Sequence, residues 1–154
     1  YLAAEFGLER GSSALVHAGA GGVGQMLIQM LKMRGVRVIA TVGSDAKAAI
    51  ARERGADEVI NYARQNFSEE TRRLTGGRGV DIVYDPIGDK VAEESLRCLA
   101  WGGRLLILGF LGGGPTNIRS NLTNYLTINS FNLQLCVFTH RYFNSFRNRK
   151  QNRM

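Results

Sequence analysis

Hydrophobic and polar positions follow two rhythms along this chain. Residues 14–16, 37–42, 58–61, 81–85 and 104–109 are short, mostly aliphatic or β-branched runs, and they read as strands. Helical patterns separate them. Val23, Leu27, Met30 and Leu31 recur at i, i+4, i+7 and i+8, one face of a 3.6-residue period, and Met33-Arg34-Gly35 closes that helix with a cation and a cap glycine. Ser44 caps a second helix over 45–54, which Gly55 ends. Phe67, Thr71 and Leu74 mark a third, stopped by Gly76-Gly77. A fourth, over about 89–100, buries Val91, Ser95 and Leu99 before Trp101-Gly102-Gly103 turns the chain into the last strand. Strand and helix alternate throughout, which demands crossover connections. The expected fold is therefore α/β, a doubly wound parallel sheet of Rossmann type with helices on both faces, its ligand over the carboxyl ends of the strands. Three divisions follow. Residues 1–12 end a preceding helix through Leu2, Ala3 and Phe6, 13–122 form the sheet domain, and 123–154 diverge, with an edge strand over 133–138 and a basic tail.

Between the first strand and the first helix lies His17-Ala18-Gly19-Ala20-Gly21-Gly22-Val23-Gly24. Gly19, Gly21 and Gly24 hold the spacing G-x-G-x-x-G, in which each glycine has its own task at a dinucleotide. Gly19 is expected to turn the strand sharply, Gly21 to clear the path of a pyrophosphate, and Gly24 to let the helix pack on the strand. The helix then aims its unpaired N–H groups and positive dipole end at the phosphates.

Composition narrows the class. A chain of 154 residues, 44% hydrophobic and 21% charged, suits one globular domain. No apolar run reaches the roughly 20 residues of a bilayer span, and no signal peptide is expected. Cys98 and Cys136 are too few for a disulfide framework or a zinc cluster, so reduced thiols in a cytoplasmic setting are expected. The net charge of +7 is unevenly placed, because all thirteen acids lie within residues 1–94. Residues 95–154 carry only bases, among them Arg141, Arg147, Arg149, Lys150 and Arg153, interleaved with Tyr142, Phe143 and Phe146. Bases with aromatics can grip single-stranded nucleic acid. No binding fold frames these, and a solvated tail accounts for them.

The end of the second strand chooses between cofactors. An NAD site places an acid there to hold the ribose hydroxyls. This strand instead ends in Val42-Gly43-Ser44, and Asp45 reads as a first-turn acid favoured by the helix dipole. Gly43 offers backbone, Ser44 a hydroxyl and Lys47 an ammonium, a set that suits the 2′-phosphate of NADP.

Five blocks then carry a resemblance. They are residues 16–24, 37–44, Gly55-Ala56-Asp57-Glu58-Val59-Ile60-Asn61-Tyr62, Leu74-Thr75-Gly76-Gly77-Arg78-Gly79-Val80-Asp81 and Cys98-Leu99-Ala100-Trp101-Gly102-Gly103-Arg104. In register over about residues 10–122, they resemble the quinone oxidoreductases, the zinc-free NADPH-dependent branch of the medium-chain dehydrogenase/reductase superfamily. The resemblance implies that the loop Ala20, Gly21, Gly22, Val23 and Gly24 holds the pyrophosphate. It also implies that Gly43, Ser44, Lys47 and Tyr62 surround the 2′-phosphate, and that Pro86, Ile87, Gly109, Phe110 and Leu111 border the nicotinamide. The implied reaction passes a hydride from NADPH to a quinone or an α,β-unsaturated carbonyl, without metal. Two departures matter. The family's GroES-like domain, the other wall of the cleft, has no counterpart in this chain. After Asn121-Leu122 the family pattern is lost, which counts against a homodimer built on a sixth strand. A non-catalytic nucleotide-binding fragment is the alternative reading. No nucleophile–base pair stands out: His17 is expected to be structural, Asp81 to begin a strand and Asp85 to precede a proline turn.

Overall fold

The computed structural model of the chain describes residues 8–107. Five strands, β1 (Ser13–Val16), β2 (Arg37–Val42), β3 (Glu58–Asn61), β4 (Val80–Asp85) and β5 (Leu99–Ile107), form one sheet in the order β3-β2-β1-β4-β5, every pair parallel. Helices α1 (Gly22–Met33), α2 (Asp45–Glu53), α3 (Phe67–Leu74) and α4 (Asp89–Ser95) make the crossovers. The doubly wound fold expected from the alternation is the one observed. The expected edge strand over 133–138, the basic tail, Cys136 and residues 1–7 of the expected helix end lie outside the described residues.

Two apolar layers flank the sheet. On one side Leu27, Ile28 and Leu31 of α1, with Ala48 and Ala51 of α2, pack on Ala14, Val16, Val38, Ala40 and Val42. On the other Phe67, Ala92 and Leu96 pack on Leu15, Ile39, Ile60, Val83 and Leu105. Neighbours Leu15 and Val16, on opposite faces of one strand, are both fully buried, which is why the strands read as unbroken apolar runs. Full burial of a side chain of this size stabilises the fold by about 1.5–3 kcal/mol.

Polar contacts set the strand starts. The Asp81 carboxylate accepts from the Ser13 N–H at 2.7 Å and the Ser13 hydroxyl at 3.0 Å, and it pairs with Arg78. Burial pushes this carboxyl up, but Arg78 and the Ser13 donors outweigh burial and hold it below the usual range. Asp57 does the same for β2, accepting from the Val38 N–H at 2.7 Å and from Lys32 of α1 at 2.6 and 2.8 Å.

One expected boundary fails. The fourth helix stops at Ser95, a 3-10 turn covers Leu96–Cys98, and the strand already begins at Leu99 rather than Arg104. Val80 pairs with Leu99 while Ile82 pairs with Arg104, so the chain folds outward between them. Gly102 takes a left-handed φ of 74° and Trp101 points to solvent. A Cβ on Gly103 would stand 2.9 Å from the carbonyls of Ala100 and Val80, so only glycine fits beside β4.

Candidate functional site

The carboxyl ends of β1, β2, β3 and β4 bring together the residues singled out by the sequence. At β1 the chain leaves Val16, makes a tight turn and enters α1. Ala18, not Gly19, is the left-handed residue of that turn, with φ 52°. Gly19 is small for another reason: a Cβ there would stand 2.8 Å from the Ala40 Cβ of β2. At Gly24 a Cβ would lie 2.3 Å from the Ala18 carbonyl oxygen and 2.9 Å from the Gly19 Cα, which is the close helix-to-strand packing expected of it. At Gly21 a Cβ would come within 3.1 Å of the same carbonyl, so this glycine serves the turn itself as well as any ligand. Gly22 faces open space, and Gly21, Gly22 and Val23 are all exposed.

The start of α1 differs from that of the other three α-helices among the described residues. The Ser44 side chain caps α2, Asn66 caps α3, and α4 opens with Asp89. Helix α1 has neither a capping side chain nor an acid in its first turn. Its leading N–H groups and its dipole therefore face outward across a surface where Gly21 and Gly22 carry no side chain. An anion of pyrophosphate size fits that cradle. Gln25, which the sequence reading missed, steadies it: its amide donates to the Ala20 carbonyl at 2.8 Å and accepts from Arg54 at 2.8 Å.

At β2 the strand ends beside a ring. A Cβ on Gly43 would meet the Tyr62 hydroxyl oxygen at 2.7 Å, so the half-exposed tyrosine occupies the space a side chain at 43 would need. Ser44 Oγ accepts from the Lys47 backbone N–H at 3.3 Å, which leaves the hydroxyl proton free to donate outward. Lys47 is exposed on the same helical turn. Gly43, Ser44, Lys47 and Tyr62, drawn from two separate strand ends, thus share one edge.

Tyr62 also borders an open cavity of about 600 Å³ that runs between the β3 and β4 ends, where His17, Arg64, Phe67, Ile87 and Glu94 line it. Ile87, expected beside a nicotinamide, shares this cavity with Tyr62. Its loop is fixed by the fully buried Asp85, whose Oδ1 accepts from the Ile87 N–H at 2.8 Å and the Gly88 N–H at 3.0 Å. Burial pushes the Asp85 carboxyl up. Pro86 is half-buried in the same turn, and Gly109, Phe110 and Leu111 lie outside the described residues.

His17 is the one histidine among the residues lining the cavity, and both its ring nitrogens are engaged. Ser95 donates its hydroxyl to the Val91 carbonyl at 2.6 Å, so its oxygen accepts from His17 Nε2 at 2.8 Å. That tautomer leaves Nδ1 to accept from the Thr41 hydroxyl at 2.8 Å. Phe67 stands edge-on to the ring at 4.9 Å. Burial lowers the His17 pKa to about 3, so the ring stays neutral and ties β1 to β2 and α4. The expected structural role of His17 is the one seen. Asp81 and Asp85 stand at opposite ends of β4, so they form no carboxylate pair. Among the described residues no three His, Cys, Asp or Glu side chains gather as metal ligands, and no helix is long and apolar enough to cross a membrane.

Comparison with known proteins identifies the family. The family model described as "Zinc-binding dehydrogenase" matches residues 22–149. A 2-haloacrylate reductase from a Burkholderia species is 41% identical over 109 residues, 71% of this chain and 33% of that protein. Quinone oxidoreductase 1 of Escherichia coli strain K12 is 39% identical over 110 residues, 71% of this chain and 34% of the relative. The crystal structure of Escherichia coli quinone oxidoreductase complexed with NADPH superposes with a TM-score of 0.76 at 35% identity, covering 82% of this chain and 39% of that one. The chain therefore spans roughly a third of the length of these curated relatives. With most of its length matched by the family model, the chain belongs to the zinc-binding dehydrogenase family, as a cofactor-domain sequence of the zinc-independent quinone oxidoreductase branch of the medium-chain dehydrogenases/reductases.

Proposed function

We propose that this chain is the NADPH-binding part of an oxidoreductase that reduces a quinone or an α,β-unsaturated carbonyl. The observation that carries the reading is the start of α1, with neither cap nor acid, behind glycines that leave no side chain in front of it. The backbone from Ala20 to Gly24 holds the pyrophosphate. Ser44 and Lys47 hold the 2′-phosphate beside Gly43 and under the Tyr62 hydroxyl. A charge-assisted hydrogen bond there is worth about 1.5–3 kcal/mol, or roughly ten- to a hundredfold in affinity. Pro86 and Ile87, with Gly109, Phe110 and Leu111, border the nicotinamide end. When bound, NADPH supplies the hydride. The chain's residues bind and orient it, and a GroES-like domain supplies the facing wall that positions the acceptor and excludes water. The edge at Gly43 supports NADPH over NADH, because the Tyr62 ring fills the place where a diol-binding acid on residue 43 would sit. The names of the relatives, a 2-haloacrylate reductase and a quinone oxidoreductase, support an electron-poor acceptor. Calorimetric titration of the full chain with NADPH and with NADH tests the reading. At least tenfold tighter NADPH binding is expected, and equal affinity would overturn the assignment of the adenosine edge.

A further inference from the structure

Asp45 is not the strand-end acid of an NAD site, since β2 ends at Val42, but it is a carboxylate three residues further on, beside the edge read as binding the 2′-phosphate. It is the first residue of α2, next to Ser44 and in the same turn as Lys47. A bare carboxylate at that point would bind a ribose diol and repel a phosphate. Here it is not bare. Its Oδ1 accepts from the Asn61 side-chain amide at 2.8 Å and its Oδ2 pairs with Arg64 at 2.8 Å. Those partners come from the end of β3 and the turn after it. The turn is itself fixed, since the Asn61 side chain accepts from the Ala63 N–H at 3.1 Å and the Arg64 N–H donates to the Asn61 carbonyl at 3.0 Å. Arg64 also lines the cavity that Tyr62 borders, so the pair stands beside the proposed nucleotide edge.

We infer that Arg64 is a positioning residue for cofactor choice: with Asn61 it neutralises and holds Asp45, and so keeps that carboxylate from acting against a 2′-phosphate. This rests on the reading of the site as NADPH-binding. Arg64 is expected to act through Asp45 rather than as a further phosphate ligand, because its Nη2 is paired with Asp45 Oδ2. The contact is exposed, with 71% of the Arg64 side chain and 62% of the Asp45 side chain open to solvent. Its effect is accordingly modest, about two- to fivefold, the range that exposed ion pairs command.

The test uses the full chain and the ratio of NADPH to NADH affinity measured by calorimetry at low salt. Arg64→Gln lowers that ratio about two- to fivefold by weakening NADPH and sparing or tightening NADH, whereas Arg64→Lys keeps it. Asp45→Asn raises the ratio, because it removes the acid and leaves the guanidinium. In the double variant Asp45→Asn restores the ratio that Arg64→Gln lost. Addition of about 0.5 M salt compresses all of these differences. If Arg64→Gln leaves the ratio unchanged, or if Asp45→Asn fails to restore it, Arg64 is neutral or a direct ligand and the inference is wrong. Should Arg64→Gln fail to fold by circular dichroism, the rise in ratio with Asp45→Asn alone decides. A wild-type ratio near one would instead refute the NADPH reading itself, before any variant is made.

Discussion

Gly22 and Gly24 sit two residues apart in the same helical turn, and the structure assigns opposite consequences to the same substitution. In Gly24→Ala the new Cβ would lie 2.3 Å from the Ala18 oxygen, 2.9 Å from the Gly19 Cα and 3.0 Å from the Ala18 carbonyl carbon. All three are backbone atoms, so no side chain can swing aside. The helix must lift from β1 by about an ångström to reach ordinary contact. Overpacking of this kind costs about 1–3 kcal/mol, while the helical preference of alanine over glycine returns at most about 1 kcal/mol. The clash wins, for a net loss of about 1–2 kcal/mol. In Gly22→Ala nothing lies within 4 Å, so the same preference acts unopposed and the variant gains a few tenths to 1 kcal/mol. Urea denaturation followed by circular dichroism should order the proteins as Gly22→Ala, wild type, Gly24→Ala. A spread of about 1.5–3 kcal/mol between the variants corresponds to several degrees in Tm. A Gly24→Ala protein as stable as Gly22→Ala would show that α1 does not pack on the Ala18 turn as described.

Three other outcomes are expected. Lys47→Ala should weaken NADPH binding about tenfold and leave NADH binding nearly unchanged, and calorimetry that finds an unaltered ratio would remove Lys47 from the phosphate edge. For His17 the folded chain favours the neutral ring, with its pKa near 3, while the unfolded chain takes up a proton near 6.5; acid therefore favours unfolding. Stability should fall by a little over 1 kcal/mol per pH unit below pH 6.5, a slope that urea midpoints in His17→Gln should lack between pH 4.5 and 6.5. Full chain with NADPH and a panel of quinones and enones should show little oxidation at 340 nm above background, and fusion to a GroES-like domain from a relative should raise it; substantial turnover by the chain alone would mean that the facing wall is not required.

The parallel sheet was legible because its cause is local. Buried parallel strands are apolar on both faces, so Leu15 and Val16, or Ile39 and Ala40, read as unbroken runs, and glycines such as Gly35 and Gly55 mark the helix ends with positive φ. The start of β5 was not legible. Val91, Ser95 and Leu99 keep a helical spacing, and nothing in that spacing reveals that Val80 will pair with Leu99 and draw it into the sheet. The glycine loop was half legible. Its spacing marked a nucleotide turn, but the reason for Gly19 is Ala40, twenty-one residues away on another strand.

The same distinction separates the parts of the site. Ser44 and Lys47 could be read from the chain because one helical turn holds both, while Tyr62 entered only through a family likeness, since its partner Gly43 lies across a crossover. The residues that condition the site were silent. Gln25 donates to Ala20 while Arg54, just past the end of α2, donates to its amide oxygen, and Arg64 reaches Asp45 because β3 lies beside β2. Each of these reads as an ordinary polar residue in sequence, and the sheet order turns each into a restraint on the edge proposed to hold the nucleotide. His17 shows the converse. A histidine at the mouth of a cofactor cleft invites an acid–base role, yet Thr41 and Ser95 occupy both its nitrogens and burial removes its charge. A ring held neutral to about pH 3 can neither supply nor keep a proton at neutral pH. What it contributes is rigidity where β1, β2 and α4 converge.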